Sequence, residues 1–301
     1  MSDEAQDAQG APEAQKAREE REAQREEWLE RAHEAGDEGD FEQMVEVLRE
    51  ALEQLPGDPF VLCWLGVAER ELGFDGIAYE RFKQAVAADP GDPWLLATAG
   101  NALAAFDDPE AEGVLRTAAL LGPDVPTARW MYGAYLTREG LFDDGLGELR
   151  AARDLAPDEA VISYEMGVNR WMAGEQGEAL TLFAEAVERA PDDGWARVVL
   201  GLALFEAEQL DEAARELEAG ARLRDDDAEA QFLAALALAA WGDDDSAWLM
   251  LERGRLSAEG TDTLTADAVE ERLGEGHEEA LQMLAEQLAP SILRERLGAR
   301  P

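Results

Sequence analysis

A recurrence of about 34 residues constrains this chain more than any other feature. Pro56, Pro90, Pro157 and Pro191 each end a helix-forming stretch, and the steps from Pro56 to Pro90 and from Pro157 to Pro191 are both 34 residues. Pro123 falls between them with one residue missing. A glycine phase runs alongside (Gly66, Gly100, Gly133, Gly167, Gly201), with Ala32 and Ala235 at its ends. Twelve residues after these come Met44, Ala78, Gly145, Ala179, Ala213 and Ala247, and four further on the bulky Leu48, Phe82, Leu149, Phe183, Leu217 and Leu251. A period of this length marks a stacked array, in which each unit buries an apolar face against its neighbours.

The turns between these phases fit helix pairs. Gly-Asp-Glu-Gly-Asp (36–40), Glu-Gly-Leu-Phe-Asp-Asp (139–144) and Gly-Asp-Asp-Asp (242–245) place glycine to stop one helix and aspartate to cap the next. Pro-Gly-Asp-Pro at 56–59 and again at 90–93, and Pro-Asp-Asp at 191–193, do the same between units. The pattern resembles the tetratricopeptide repeat (TPR): small residues at positions 8 and 20, a bulky one at 24 and proline at 32. Small residues let helices A and B approach closely, and proline stops helix B.

The resemblance implies an all-α fold, a right-handed superhelical solenoid of antiparallel helix pairs. Repeats are expected to start near residues 25, 59, 93, 126, 160, 194 and 228. A degenerate eighth follows from about 261, carrying Ala268, Ala280, Leu284 and Pro290. Residues 1–24 are rich in Ala, Gln, Glu and Arg and are expected to be partly disordered, leading into a charged helix from about Glu13. Residues 291–301 are expected to form a short capping helix and tail over the last apolar face.

The net charge of -42 and pI near 4.1 argue against nucleic-acid or anionic-lipid partners and favour partners with basic segments. Lys16 and Lys83 are the only lysines, a bias that fits either a halophile or a GC-rich genome. Cys63 is the single cysteine, so no intramolecular disulfide or paired-cysteine metal site can form. The acidic N-terminus lacks the pattern of a secretory signal, and the longest apolar run, 232–241, is too short to cross a bilayer. These features predict a cytoplasmic protein without membrane insertion.

Catalytic and metal chemistry finds no footing. His33 and His277 lie far apart in the repeat order and are expected at the surface. The aspartate runs 225–227 and 243–245 lack the spacing of a calcium loop and sit where helices start, which favours capping. No phosphate-binding glycine loop, dinucleotide fingerprint or Gly-x-Ser-x-Gly elbow occurs. Ser163 and Cys63 have no histidine nearby in the repeat order, so Cys63 reads as a small apolar side chain. No enzyme, cofactor or metal site is expected.

In this family the A helices line the concave groove, where positions 2, 5, 9 and 12 share one face. Here that face is apolar and aromatic: Phe60, Val67, Trp94, Trp130, Tyr164, Val168, Trp171, Trp195, Leu202, Phe205 and Phe232, with Asn101 the polar exception. Such a stripe marks a binding surface if exposed. Position 4, a packing position in the family, is Arg129, Ser163, Arg197 and Gln231, which suggests a rotated helix A that turns part of the stripe into core. The family's clamp for a C-terminal dicarboxylate needs lysines, and only Asn101 matches it. The reading is a non-catalytic scaffold that holds an apolar or amphipathic protein segment, with basic flanks, in the groove. A lipid or small-molecule carrier, and a self-associating structural protein, remain the alternatives.

Overall fold

The computed structural model describes residues 3–88, 90–258 and 263–300, and every regular element among them is helical. Seven A/B pairs run in chain order: α1 (Asp3–Asp37) with α2 (Phe41–Gln54), α3 (Pro59–Glu71) with α4 (Asp75–Ala87), and α5 (Pro93–Ala105) with α6 (Ala111–Leu121). Then follow α7 (Pro126–Arg138) with α8 (Phe142–Leu155), α9 (Ala160–Met172) with α10 (Gln176–Arg189), α11 (Gly194–Glu206) with α12 (Leu210–Leu223), and α13 (Ala228–Trp241) with α14 (Asp244–Ser257). The degenerate eighth pair is α15 (Thr263–Glu275) with α16 (His277–Met283). Its expected start near 261 lies outside the described residues, as do residues 1, 2 and 301.

Local chemistry explains the boundaries. Asp58, Asp92, Asp193 and Asp227 cap A helices by accepting backbone N–H bonds from Phe60 and Val61, Leu95, Ala196 and Ala230. Asp40 and Asp243 do the same for α2 and α14. In all seven pairs, helix A ends with the residue at position 15 in the left-handed region. The next N–H then bonds back to the carbonyl of position 11 (Asp40 to Ala35, Phe74 to Glu69, Asp108 to Leu103, and so on through Asp243 to Leu238). The small positions bring the helices together: Gly66 meets the Phe82 ring, Gly167 the Phe183 ring and Gly201 Leu217.

The residue missing from the third repeat comes out of its A–B turn. Asp108 makes the closing bond at its normal place, and Ala111 and Leu115 then fill the small and bulky positions one residue early. Asp108 accepts from the Glu110 N–H, the Tyr79 hydroxyl at 2.7 Å and Lys83 at 3.2 Å, which hold its carboxyl below the usual value. The polar residues at position 4 have their own partners. Arg129 donates to Pro123 O, Arg197 to Pro191 O, and Gln231 to the carbonyls of Ala221 and Arg224, so each ties the start of a repeat to the end of the previous helix B. Ser163 accepts from Arg189 in the same way.

At the N-terminus, α1 begins at Asp3, so the helix runs through the segment expected to be partly disordered. Strong helix formers and i,i+4 pairs, such as Lys16 with Glu20 and Arg18 with Glu22, support it. The chain divides into two compact units, Met1–Tyr132 and Gly133–Pro301.

At the other end, α16 continues through a π-helical segment, Leu284–Leu288, into α17 (Ala289–Gly298). Pro290 has no N–H and its ring crowds the carbonyl four residues back. The widened turn, with the Ala289 N–H bonded to Leu284 O, relieves that clash and re-aims the helix. As a result α16 packs on α13, whereas α17 packs on α11, the A helix of the sixth repeat, rather than closing the end of the array.

Candidate functional site

In the first unit the A helices carry an aromatic ladder. The His33 ring sits edge-on to Trp64 at 4.3 Å, and Trp64 stacks on Trp94 at 5.2 Å. Phe60 lies under the Arg25 guanidinium at 4.3 Å. Phe60, Val67, Trp94 and Trp130 are half-buried and Asn101 is buried. Trp64, at position 6, belongs to this ladder although the spacing argument passed over it. His33 departs from the surface expectation: it is half-buried, and its Nε2 is buried without a hydrogen-bond partner among the described residues.

The second unit sorts the stripe differently. Val168, Leu202 and Phe232 have almost no exposed surface and belong to a single core cluster that extends to α17. Tyr164, Trp171, Trp195 and Phe205 are half-buried and pack against that cluster from the A-helix side. Position 5 packs onto its own helix B (Tyr164 on Phe183, Val198 on Gly220, Phe232 on Gly254) and position 9 is buried in the cluster, leaving position 2 (Trp195) and position 12 (Trp171, Phe205) at the surface of the face.

That face already has an occupant. From α17, Ile292, Leu293 and Leu297 are buried in the core cluster. Arg296 lies over the Trp195 ring at 3.6 Å and pairs with Glu229 at 2.9 Å. Arg300 lies over Tyr135 at 4.8 Å and pairs with Glu139 at 2.6 Å. Arg138, in a buried ion pair with Glu165, donates from Nε to the Ala299 carbonyl at 2.8 Å. Burial and the neighbouring Glu165 raise the Tyr164 phenol above its ordinary value, so it stays protonated. None of Arg138, Glu165, Arg296 or Arg300 stands out in the repeat pattern. The available signal was the spacing of Leu293 and Leu297 with arginines between and after them, which makes α17 a basic amphipathic helix.

Two cavities flank α17. One of ≈ 320 Å³ is bounded by Arg138, Tyr164, Trp195, Ala299 and Arg300 among others. The second, ≈ 310 Å³, lies beside Trp171, Met172, Leu293 and Leu297. Arg296 Nε and Arg300 Nη1 are buried without hydrogen-bond partners among the described residues.

Elsewhere the reactive side chains are occupied or sealed. Cys63 is fully buried, and that burial pushes its thiol up to about 12, far from the thiolate a nucleophile needs. His277 contacts Asp244 at 3.0 Å on the exposed surface. Asp227 and Asp243 use their carboxylates as helix caps, and no His/Cys/Asp/Glu group among the described residues could hold a metal ion. No described helix is long and apolar enough to cross a membrane.

A tetratricopeptide-repeat family model matches residues 170–239. No curated protein sequence matches the chain. Among solved structures, the APC/C hetero-tetramer Cut9-Hcn1 aligns over 80% of this chain with 16% identity and a TM-score of 0.64; the alignment spans about half, 48%, of that chain. A thermophilic TPR protein from Thermus thermophilus aligns over 60% of this chain and 98% of its own, with 25% identity and a TM-score of 0.51. A tetratricopeptide repeat protein from Parabacteroides merdae aligns over 86% of this chain and 99% of its own, at 15% identity and a TM-score of 0.56.

Proposed function

As a tetratricopeptide-repeat protein, the chain specifies a surface rather than a reaction, and we propose that it is a non-catalytic scaffold holding a helical segment of a partner protein along its A helices. The segment is amphipathic and basic, and Tyr164, Trp171, Trp195 and Phe205 are its anchors. One observation carries this reading: the face accommodates α17, whose Arg296 lies over Trp195 and whose leucines join the cluster that Tyr164, Trp171 and Phe205 pack against. Stacked arginine–aromatic pairs and buried leucines are the contacts that dominate helix-in-groove recognition. The net charge of -42 adds long-range attraction for a basic partner.

The test is affinity capture from native cell extract with the wild-type chain and a Trp171→Ala/Trp195→Ala variant. A partner recovered by the first and lost from the second, at equal helical content by circular dichroism, is the expected outcome. Recovery of the same partner by both chains removes this face from the function.

A further inference from the structure

We infer that the partner segment is a helix in the register of α17, and that it must displace α17 to bind. The inference rests on the scaffold reading above and adds the partner's pattern and the state of the free chain.

The register follows from what α17 contributes. Leu293 and Leu297, one helical turn apart, enter the core cluster; Arg296 within the helix and Arg300, two residues beyond its end, reach Trp195 with Glu229 and Tyr135 with Glu139. In a chain of net charge -42, residues 289–300 hold three arginines against one glutamate. The segment therefore has the sign a partner needs on an acidic scaffold, and it uses the contacts a partner would use.

The fit of α17 is incomplete in ways that leave room for a competitor. Arg296 Nε and Arg300 Nη1 are buried donors without acceptors among the described residues, which weakens the seat. Ala299, a small residue just beyond the helix, borders the ≈ 320 Å³ cavity beside Tyr164 and Trp195, with its carbonyl held by Arg138. A partner with a large apolar residue two positions after its second leucine fills that space and gains contact area that α17 lacks. Because α17 is tethered, the free chain stays closed at low partner concentration, and the apparent affinity for any outside helix falls by the fraction of open chain.

The test uses full-length protein and fluorescently labelled synthetic peptides of residues 289–300, read by anisotropy. In the Leu293→Asp/Leu297→Asp chain, α17 no longer seats, and the peptide is expected to bind roughly tenfold or more tightly than to the wild-type chain. An Ala299→Phe peptide should bind more tightly than the native sequence, and an Arg296→Glu/Arg300→Glu peptide should lose binding. If the leucine variant loses helical content, the Arg296→Glu/Arg300→Glu chain replaces it, since it sets glutamates against Glu229 and Glu139 without touching the leucines. Equal affinity of the wild-type and opened chains overturns the inference, as does an opened, folded chain that binds no peptide. Peptide binding to the opened chain without a captured cellular partner would show α17 displaceable but remove the scaffold reading on which the inference rests. Capture sensitive to Trp171 and Trp195 without peptide competition would keep the scaffold reading and overturn this one.

Discussion

The glycines that face helix B are less tightly enclosed in Met1–Tyr132 than in Gly133–Pro301. A Cβ on Gly66 would lie 3.0 Å from the Phe82 ring, and one on Gly100 3.0 Å from Leu115 and Val114. On Gly133, Gly167 and Gly201 the nearest neighbours would be at 2.8, 2.6 and 2.7 Å. The cores differ as well. In the first unit one cluster joins the first two repeats, and a separate small one holds Leu96, Ala97, Ala118 and Ala128. In the second a larger cluster runs from residue 168 to residue 297, with Leu136, Leu149, Ile162 and Met166 buried outside it. A repeat array is stabilised mainly by nearest neighbours. By returning to α11, α17 links the last helices to the middle of the second unit and adds a contact of long sequence separation.

The largest expected effect breaks that link. Leu293→Ala removes a buried side chain from the shared cluster and should destabilise the second unit by about 3 kcal/mol. Hydrogen exchange should rise in α9, α11 and α13 together while amides in α2 to α5 keep their protection. A rise confined to α17 would break the link, and would mean that the helix opens from a stable array, the motion that displacement by a partner requires.

A smaller effect sharpens the difference in glycine enclosure. Gly133 faces backbone, with the Gly145 carbonyl oxygen 2.9 Å from a Cβ placed there. Gly133→Ala should therefore cost about 2 kcal/mol in urea unfolding even after the gain in helix propensity. At Gly66 the nearest neighbour is the edge of the Phe82 ring, which can yield by a few tenths of an ångström, while the Arg81 Cβ, fixed by its backbone, lies further off at 3.2 Å. Gly66→Ala should be within about 0.5 kcal/mol of neutral, crowding being offset by propensity. Equal costs at the two sites would erase the contrast.

What could be read from the sequence was whatever repeats. The proline, glycine and bulky phases place the helix pairs, and Asp-Pro and Asp-Asp pairs predict caps that Asp58, Asp92, Asp193 and Asp227 supply. Three things were not legible. The deletion in the third repeat shows in the proline spacing, but only the early Ala111 and Leu115 reveal that it falls in the A–B turn. Position 4 gave the expectation of a rotated helix in which position 5 takes over the packing, and Val198 and Phe232 do pack on helix B. The bonds of Arg197 and Gln231 to the carbonyls of the preceding turn or helix B, however, were not readable from the pattern. The destination of α17 depends on a bulge and a contact across dozens of residues, which no local periodicity encodes. The proposed binding face was half legible for a related reason. Residues such as Val168 and Leu202 share a helix face with Trp171 and Phe205, but the former are buried in the core cluster and the latter are left half-exposed.

The smallest effect compares one turn from each unit. Position 15 adopts positive φ in every pair: glycine supplies it at Gly39, Gly73, Gly140, Gly174 and Gly242, but Asp107 (φ 54) does so in the first unit and Glu208 (φ 62) in the second. A side chain with Cβ incurs a steric penalty in this region, of about 1 kcal/mol, less for aspartate because its short carboxylate can bond locally. Glycine also gains freedom in the unfolded chain, which cancels part of the benefit. Glu208→Gly should therefore stabilise the protein by about 0.5–1 kcal/mol, and Asp107→Gly by about half as much or less, both read as shifts of the urea midpoint. The Glu208 gain should appear as slower exchange in α11 and α12 and the Asp107 gain in α5 and α6. A larger gain at Asp107 would show that the shortened turn of the third repeat, with Asp108 already holding Glu110, Tyr79 and Lys83, carries more strain than the tightly packed unit.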